Sequence, residues 1–176
     1  MFPVAWAQWE MKVEFRVEED VAKVGFDIIH SSSKNKQAMQ RGACTNALCT
    51  AEFTRVYFDA KSETVVVDRS CSTSLHGVRT CPEEAPHTLF LFRRRHTEDQ
   101  AAEKPMVEAL EFHVVYDSSV VQVFANERTA LTTRVYPAAG TSTGIRPFLE
   151  RTRHGSCKGF ESWASSLVVW PLSLPV

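Results

Sequence analysis

"LEFHVVYDSSVVQVFANERTALTTRVYP", from Leu110 to Pro137, holds three short apolar runs separated by two polar breaks that carry Asp117 and Glu127. Its reading turns on register. With Ser118-Ser119 as a two-residue turn, Tyr116 faces Val121, Val114 faces Val123 and Phe112 faces Ala125. Each of those pairs is apolar, and cross-strand partners share one face of a sheet. With Asn126-Glu127-Arg128 as a three-residue loop, Val123 faces Leu131 and Val121 faces Thr133 on that same side. Gln122, Thr132 and Arg134 then fall together on the other face. A slip of one residue would destroy this sorting, so the stretch predicts a three-stranded antiparallel meander with Val121, Val123 and Leu131 in the core. Asp and Asn suit the breaks because their side chains bond the local backbone and tolerate unusual dihedrals. The two acids read as turn residues.

The same grammar recurs along the chain. "MKVEFRV", "VGFDII", "FTRVYFD", "TVVVDRS", "TLFLF", "TGIRPFLE" and "SWASSLVVW" are rich in valine, phenylalanine and threonine, and several alternate. "FDAKSETVVV" reads as a second hairpin around a short polar loop. The best helical stretch, "EDQAAEKPMVEAL", is interrupted by Pro105. Many short strands between turn signals predict an all-β fold, an antiparallel two-sheet β-sandwich of jelly-roll or concanavalin A-like form. Residues 30–50 and 93–105 read as long polar loop insertions. No internal repeat or linker divides the chain, which predicts one domain over 1–176.

Composition excludes several classes of function. The 176 residues suffice for a domain that buries about 70% of its unfolded surface. A formal net charge of -1 offers no global attraction to nucleic acid or an anionic membrane. No apolar run approaches the ~20 residues that cross a bilayer. The opening "MFPVAWAQWE" lacks the basic and apolar regions of a signal peptide. Five cysteines leave at least one unpaired within the chain. Cys44/Cys49 and Cys71/Cys81 are near enough in sequence for local disulfides, although spacing alone does not require them. Zinc-type Cys and His spacings do not occur, and neither metal nor cofactor is expected.

Candidate chemistry resolves mostly into structure. "GTSTG", Gly140–Gly144, matches the nucleophile-elbow pattern, but that motif needs a helix after it, and "IRPF" with Pro147 follows. Ser142 is thus read as a loop serine. "RRRH", Arg93–His96, is followed by Glu98, Asp99 and Glu103, which describes a solvated charged loop better than a phosphate grip. His113 is placed beside Phe124 on the outer face of the meander, without a second metal-binding side chain brought near it by spacing. Trp6, Trp9, Trp163 and Trp170 are candidates for stacking on sugar rings, although large aromatics more often close a sandwich core. Asp59, Asp68, Asp117 and Glu127 lie near strand ends. A glycosidase needs two carboxyl groups ~5 Å or ~6.5–9.5 Å apart, and nothing in the spacing marks a converging pair.

These motifs together carry a resemblance. "FTRVYFDAKSETVVVDRS", then Leu110–Pro137, then "STGI" and "LVVWPL", resembles the C-terminal β-sandwich of glycoside hydrolase family 32, the β-fructofuranosidases, invertases and inulinases. Asp68, Arg69 and Ser70 match the family's Asp-Arg-Ser. Asp117, Ser119, Val121, Val123, Phe124 and Asn126 match its Asp-x-Ser-x-Val-Glu-Val-Phe-x-Asn. Leu131, Thr132, Arg134, Tyr136 and Pro137 match a close form of its Leu-Thr-x-Arg-x-Tyr-Pro. The likeness extends over roughly residues 11–172. Gln122 stands where the family usually has glutamate, which removes a charge from that site.

The resemblance implies an accessory module. The family carries its catalysis on a five-bladed propeller marked by Asn-Asp-Pro-Asn, Arg-Asp-Pro and Glu-Cys segments, none of which occurs in this sequence. No residue is therefore assigned to catalysis or to substrate. The implied role is to stabilise that propeller or to help subunits pair, and the parent family is often secreted or vacuolar. The alternative from another class is a free-standing fructan- or sucrose-binding module; a complete enzyme with unrecognised acids ranks last. Partners implied are the propeller, a fructan or a second copy of the chain, with neither nucleic acid nor membrane.

Overall fold

The computed structural model describes residues 2–3, 8–31, 51–92, 106–138, 144–152 and 164–172. In chain order its strands are β1 (Phe2–Pro3), β2 (Gln8–Phe15), β3 (Val21–Ser31), β4 (Glu52–Asp59), β5 (Thr64–Asp68), β6 (Glu83–Pro86) and β7 (Leu91–Phe92). They continue with β8 (Met106–Val107), β9 (Leu110–Asp117), β10 (Val120–Ala125), β11 (Thr129–Arg134), β12 (Gly144–Arg151) and β13 (Ala164–Pro171). No helix occurs among the described residues. The strands form a six-stranded sheet, β1-β12-β3-β4-β5-β6, and a five-stranded sheet, β11-β10-β9-β2-β13. A separate two-stranded sheet joins β7 to β8. All pairings are antiparallel.

The meander has the predicted register. Tyr116 pairs with Val121, Val114 with Val123 and Phe112 with Ala125; Val123 pairs with Leu131 and Val121 with Thr133. Both turns use left-handed backbone: φ is +53° at Ser118, +46° at Asn126 and +54° at Glu127. Val121 and Val123 are buried. Leu131, expected in the core, is only partly buried against it, because β11 is an edge strand. Hairpin β4–β5 also forms as predicted, with Asp59 Oδ1 accepting from the backbone N–H groups of Lys61 and Ser62 to close its turn.

The two large sheets face each other across one apolar core. Trp9, Met11, Val13 and Phe15 alternate inward from β2, and Leu110, Phe112, Val114 and Tyr116 do so from β9. They meet Val24, Phe26 and Ile28 of β3 and Val56 and Phe58 of β4. Phe112 packs edge-on against Phe26 across the interface, with ring centroids 6.0 Å apart. Period-2 alternation thus becomes one buried and one outer face per sheet.

Two positions show what close sheet packing demands. Gly25 of β3 is paired with Tyr57 of β4, and a Cβ there would fall 2.0 Å from the Val56 carbonyl oxygen. Only glycine fits. Pro147 pairs with Phe26 of β3, while β1 reaches only Gly144 and Ile145 of β12, so the proline lies on an edge among the described residues. Residues 30 and 31, assigned from sequence to a long loop, end strand β3 instead; the rest of that insertion and all of 93–105 lie outside the described residues. Cys71 and Cys81 are both disulfide-bonded.

Candidate interaction surfaces

The acids near strand ends do not converge. Asp117 closes β9 and Glu127 follows β10, so the length of β10 separates them, about 20 Å at the rise of a strand. That is far beyond the separation a glycosidase pair needs. Asp117 Oδ1 accepts from Gln8 Nε2 at 2.7 Å, and Asp68 Oδ1 accepts from the Ser70 backbone N–H. A cleft of about 280 Å³ is lined by Glu14, Glu108, Glu111, Asn126 and Glu127. Glu108 there is held ionised, its pKa brought down to about 2, first by the Arg128 guanidinium that bonds both its oxygens. A general acid needs the opposite shift.

The motif residues spend their bonding capacity inside the sandwich. Arg69 is buried and donates to the Cys81 carbonyl oxygen, to the Arg134 carbonyl oxygen and to Glu83. Asn126 Oδ1 accepts from the Glu111 N–H while its Nδ2 donates to the Ala109 carbonyl oxygen, which fastens the β10–β11 loop to β9. His87, buried against Phe58, shares hydrogen bonds with Thr129 and Asn126. These groups hold loops and sheets together and leave little to offer a ligand.

The β7–β8 ribbon is different. "TLFLF" reads as a strand, and the short strand at its end is open to solvent: Leu91 is 68% exposed, Phe92 56%, and Met106 of its partner strand 57%. Its base is rigid. Phe90 and Glu108 exchange backbone and side-chain bonds, Arg128 grips Glu108, and the same guanidinium sits 4.1 Å from the Phe90 ring centroid. An apolar arm on a fixed base is what an interface offers and what a lone soluble domain avoids.

The outer face of the five-stranded sheet carries the predicted His113–Phe124 neighbours, with ring centroids 5.6 Å apart. Tertiary pairing adds what spacing could not show. His113 Nε2 lies 2.5 Å from Glu10 Oε1, and Trp170 Nε1 donates to Glu10 Oε2 at 3.1 Å. Trp170 is therefore half-buried on an outer face and does not close the core. Trp9 does: it is fully buried and stacks on Tyr116 at 5.2 Å, its Nε1 unpaired. No group of three or more metal-ligating side chains occurs among the described residues.

On the outer face of the six-stranded sheet, the buried Asp27 carboxylate is clamped between two arginines, Arg55 and Arg146. Arg55 also lies 4.3 Å from the Phe148 ring centroid, and its hydrogen bonds to Asp27 raise the Arg55 pKa above the ordinary arginine value. That layer is saturated by its own contacts. Arg93–His96, Glu98, Asp99, Glu103, Ser142, Trp6 and Trp163 lie outside the described residues, although the segment after Gly144 is strand, not the helix an elbow requires.

Comparison with known proteins agrees with this architecture. Residues 3–171 match the family described as glycosyl hydrolases family 32 C terminal. No curated protein matches the sequence directly. Among solved structures, the Aspergillus kawachii β-fructofuranosidase complexed with glycerol is 25% identical with a TM-score of 0.62, over 85% of this chain and 22% of that one. The fructosyltransferase of A. japonicus is 24% identical with a TM-score of 0.60, over 83% and 21%. Chicken galectin 2 shares the fold alone, at 10% identity and a TM-score of 0.51 over 97% and 96%. The chain spans about a fifth of the length of the two fungal enzymes.

Proposed function

Because this chain belongs to the family of C-terminal domains of glycosyl hydrolases family 32, we propose that it is a non-catalytic β-sandwich module of a β-fructofuranosidase-type enzyme. In this reading residues 1–176 form one domain that packs against the catalytic propeller of such an enzyme, or against a second subunit, and contributes stability. The observation that carries it is the exposed apolar arm of Phe90–Phe92 and Met106–Val107 on its Arg128–Glu108 base. Binding energy comes mainly from burying that arm, with a polar rim around it. The wide spacing of Asp117 and Glu127, and the turn roles of Asp59 and Asp68, support the absence of catalysis.

The purified chain is expected to release no fructose from sucrose, inulin or levan. Release above the buffer level, abolished by Asp117→Asn or Glu127→Gln, would overturn the reading. The arm is tested by sedimentation and by binding of a hydrophobic dye. Self-association and dye uptake that fall in a Leu91→Ser/Phe92→Ser variant support docking through it; a parent chain that stays monomeric at high concentration and binds no dye refutes it. A free-standing fructan-binding module is the second reading, favoured by the polar and aromatic groups on the outer face of the five-stranded sheet.

A further inference from the structure

Two neighbouring rows on that outer face bring together side chains from four strands. Gln122, Glu10 and Trp170 lie in one row, from β10 through β2 to β13. Phe124, His113 and Lys12 lie in the next. Three strand spacings separate Gln122 from Trp170, about 14 Å, a platform longer than a single sugar ring.

The chemistry of the platform narrows the ligand. Glu10 bonds His113 with one oxygen and Trp170 with the other, so imidazole and indole are oriented before a ligand arrives. Each of its oxygens keeps a lone pair for a hydroxyl donor. The Gln122 amide, the Lys12 ammonium and His113 Nδ1 have no hydrogen-bond partner among the described residues. These groups supply both donors and acceptors, as a rim of hydroxyls requires. Phe124 and Trp170 supply flat apolar surface for the C–H face of a sugar. An anion would meet the Glu10 carboxylate, and a metal would find one carboxylate and one imidazole. Neither fits.

We propose that this face binds a neutral oligosaccharide, with Trp170 and Phe124 as stacking surfaces and Gln122, His113, Lys12 and Glu10 as partners for its hydroxyls. The site specifies the ligand of the second reading and does not use the apolar arm, so the two ideas fail separately.

The test is titration of the full chain with inulin-type fructo-oligosaccharides, and with lactose and cellotetraose, followed by tryptophan fluorescence and calorimetry. Saturable binding with a Kd on the order of 1 mM is expected for at least one of them. Gln122→Ala and His113→Ala should each weaken it by about tenfold, the scale of losing one well-placed contact. Gln122→Ala replaces a half-exposed group and should leave the thermal midpoint near that of the parent, which separates lost binding from lost folding. The Leu91→Ser/Phe92→Ser variant should bind as the parent does. Absence of binding by every neutral oligosaccharide at its highest soluble concentration overturns the proposal. Equal affinities in the parent and in both single variants overturn it as well.

Discussion

Arg69, just after β5 of the six-stranded sheet, donates from Nη1 to the backbone carbonyl oxygen of Arg134, the last residue of β11 in the five-stranded sheet, 3.0 Å away. The same buried guanidinium also donates to the Cys81 carbonyl oxygen and to Glu83. One planar fork therefore ties together two sheets and a loop, and lysine has neither its shape nor its number of donors. Arg69→Lys should break these charge-assisted hydrogen bonds to the Cys81 and Arg134 carbonyl oxygens and cost about 2 kcal/mol. Urea unfolding checks this; a midpoint equal to that of the parent would show that the cross-sheet bond carries no stability.

Val123 and Gln122 are adjacent but lie on opposite faces of β10. Val123→Asp places a carboxylate in the core, where it costs several kcal/mol or takes up a proton, against a total of ~5–15 kcal/mol for a domain. Gln122→Glu places its charge on the hydrated face and should change stability by about 0.5 kcal/mol or less. The contrast in unfolding midpoints is the test, and similar losses in the two variants would contradict the burial assigned to this strand.

Glu127 adopts a left-handed backbone at φ +54°. That conformation costs a non-glycine residue about 1–2 kcal/mol, and glycine gives back about 0.5–1 kcal/mol through its freer unfolded chain. Glu127→Gly should therefore be neutral to stabilising by about 0.5 kcal/mol. A clear drop in the thermal midpoint would mean that the Glu127 side chain does more than occupy a turn.

His30 is buried, bonded to Thr54 through Nε2 at 2.8 Å and stacked on Tyr116. Burial lowers its pKa to about 4. Between about 4 and the unfolded value of ~6.5 the unfolded chain holds the extra proton, so stability is full above ~6.5 and falls as the pH drops through that window. The loss should be on the order of 3 kcal/mol. His87, also lowered mainly by burial, adds in the same direction. His30→Gln should flatten the dependence of urea midpoints between pH 7 and 4. An unchanged slope would place the acid sensitivity elsewhere.

The meander, hairpin β4–β5 and the turn roles of Asp117 and Glu127 follow from sequence alone. Their partners are close along the chain, and period-2 alternation allows one register through each turn. Asp68 with Ser70 and Asn126 with Ala109 also bond near themselves along the chain, whereas the Arg69 bond to the Arg134 carbonyl oxygen joins segments far apart in sequence. Tertiary structure alone decided which distant strands meet. β2 lies between β9 and β13, and its alternating pattern would have suited other apolar neighbours equally well. That pairing brings Glu10 to His113 and Trp170 and turns Trp170 outward, while the separate pairing of β7 with β8 leaves Leu91 and Phe92 exposed. Alternation states which side chains share a face; what covers that face depends on where the whole chain closes.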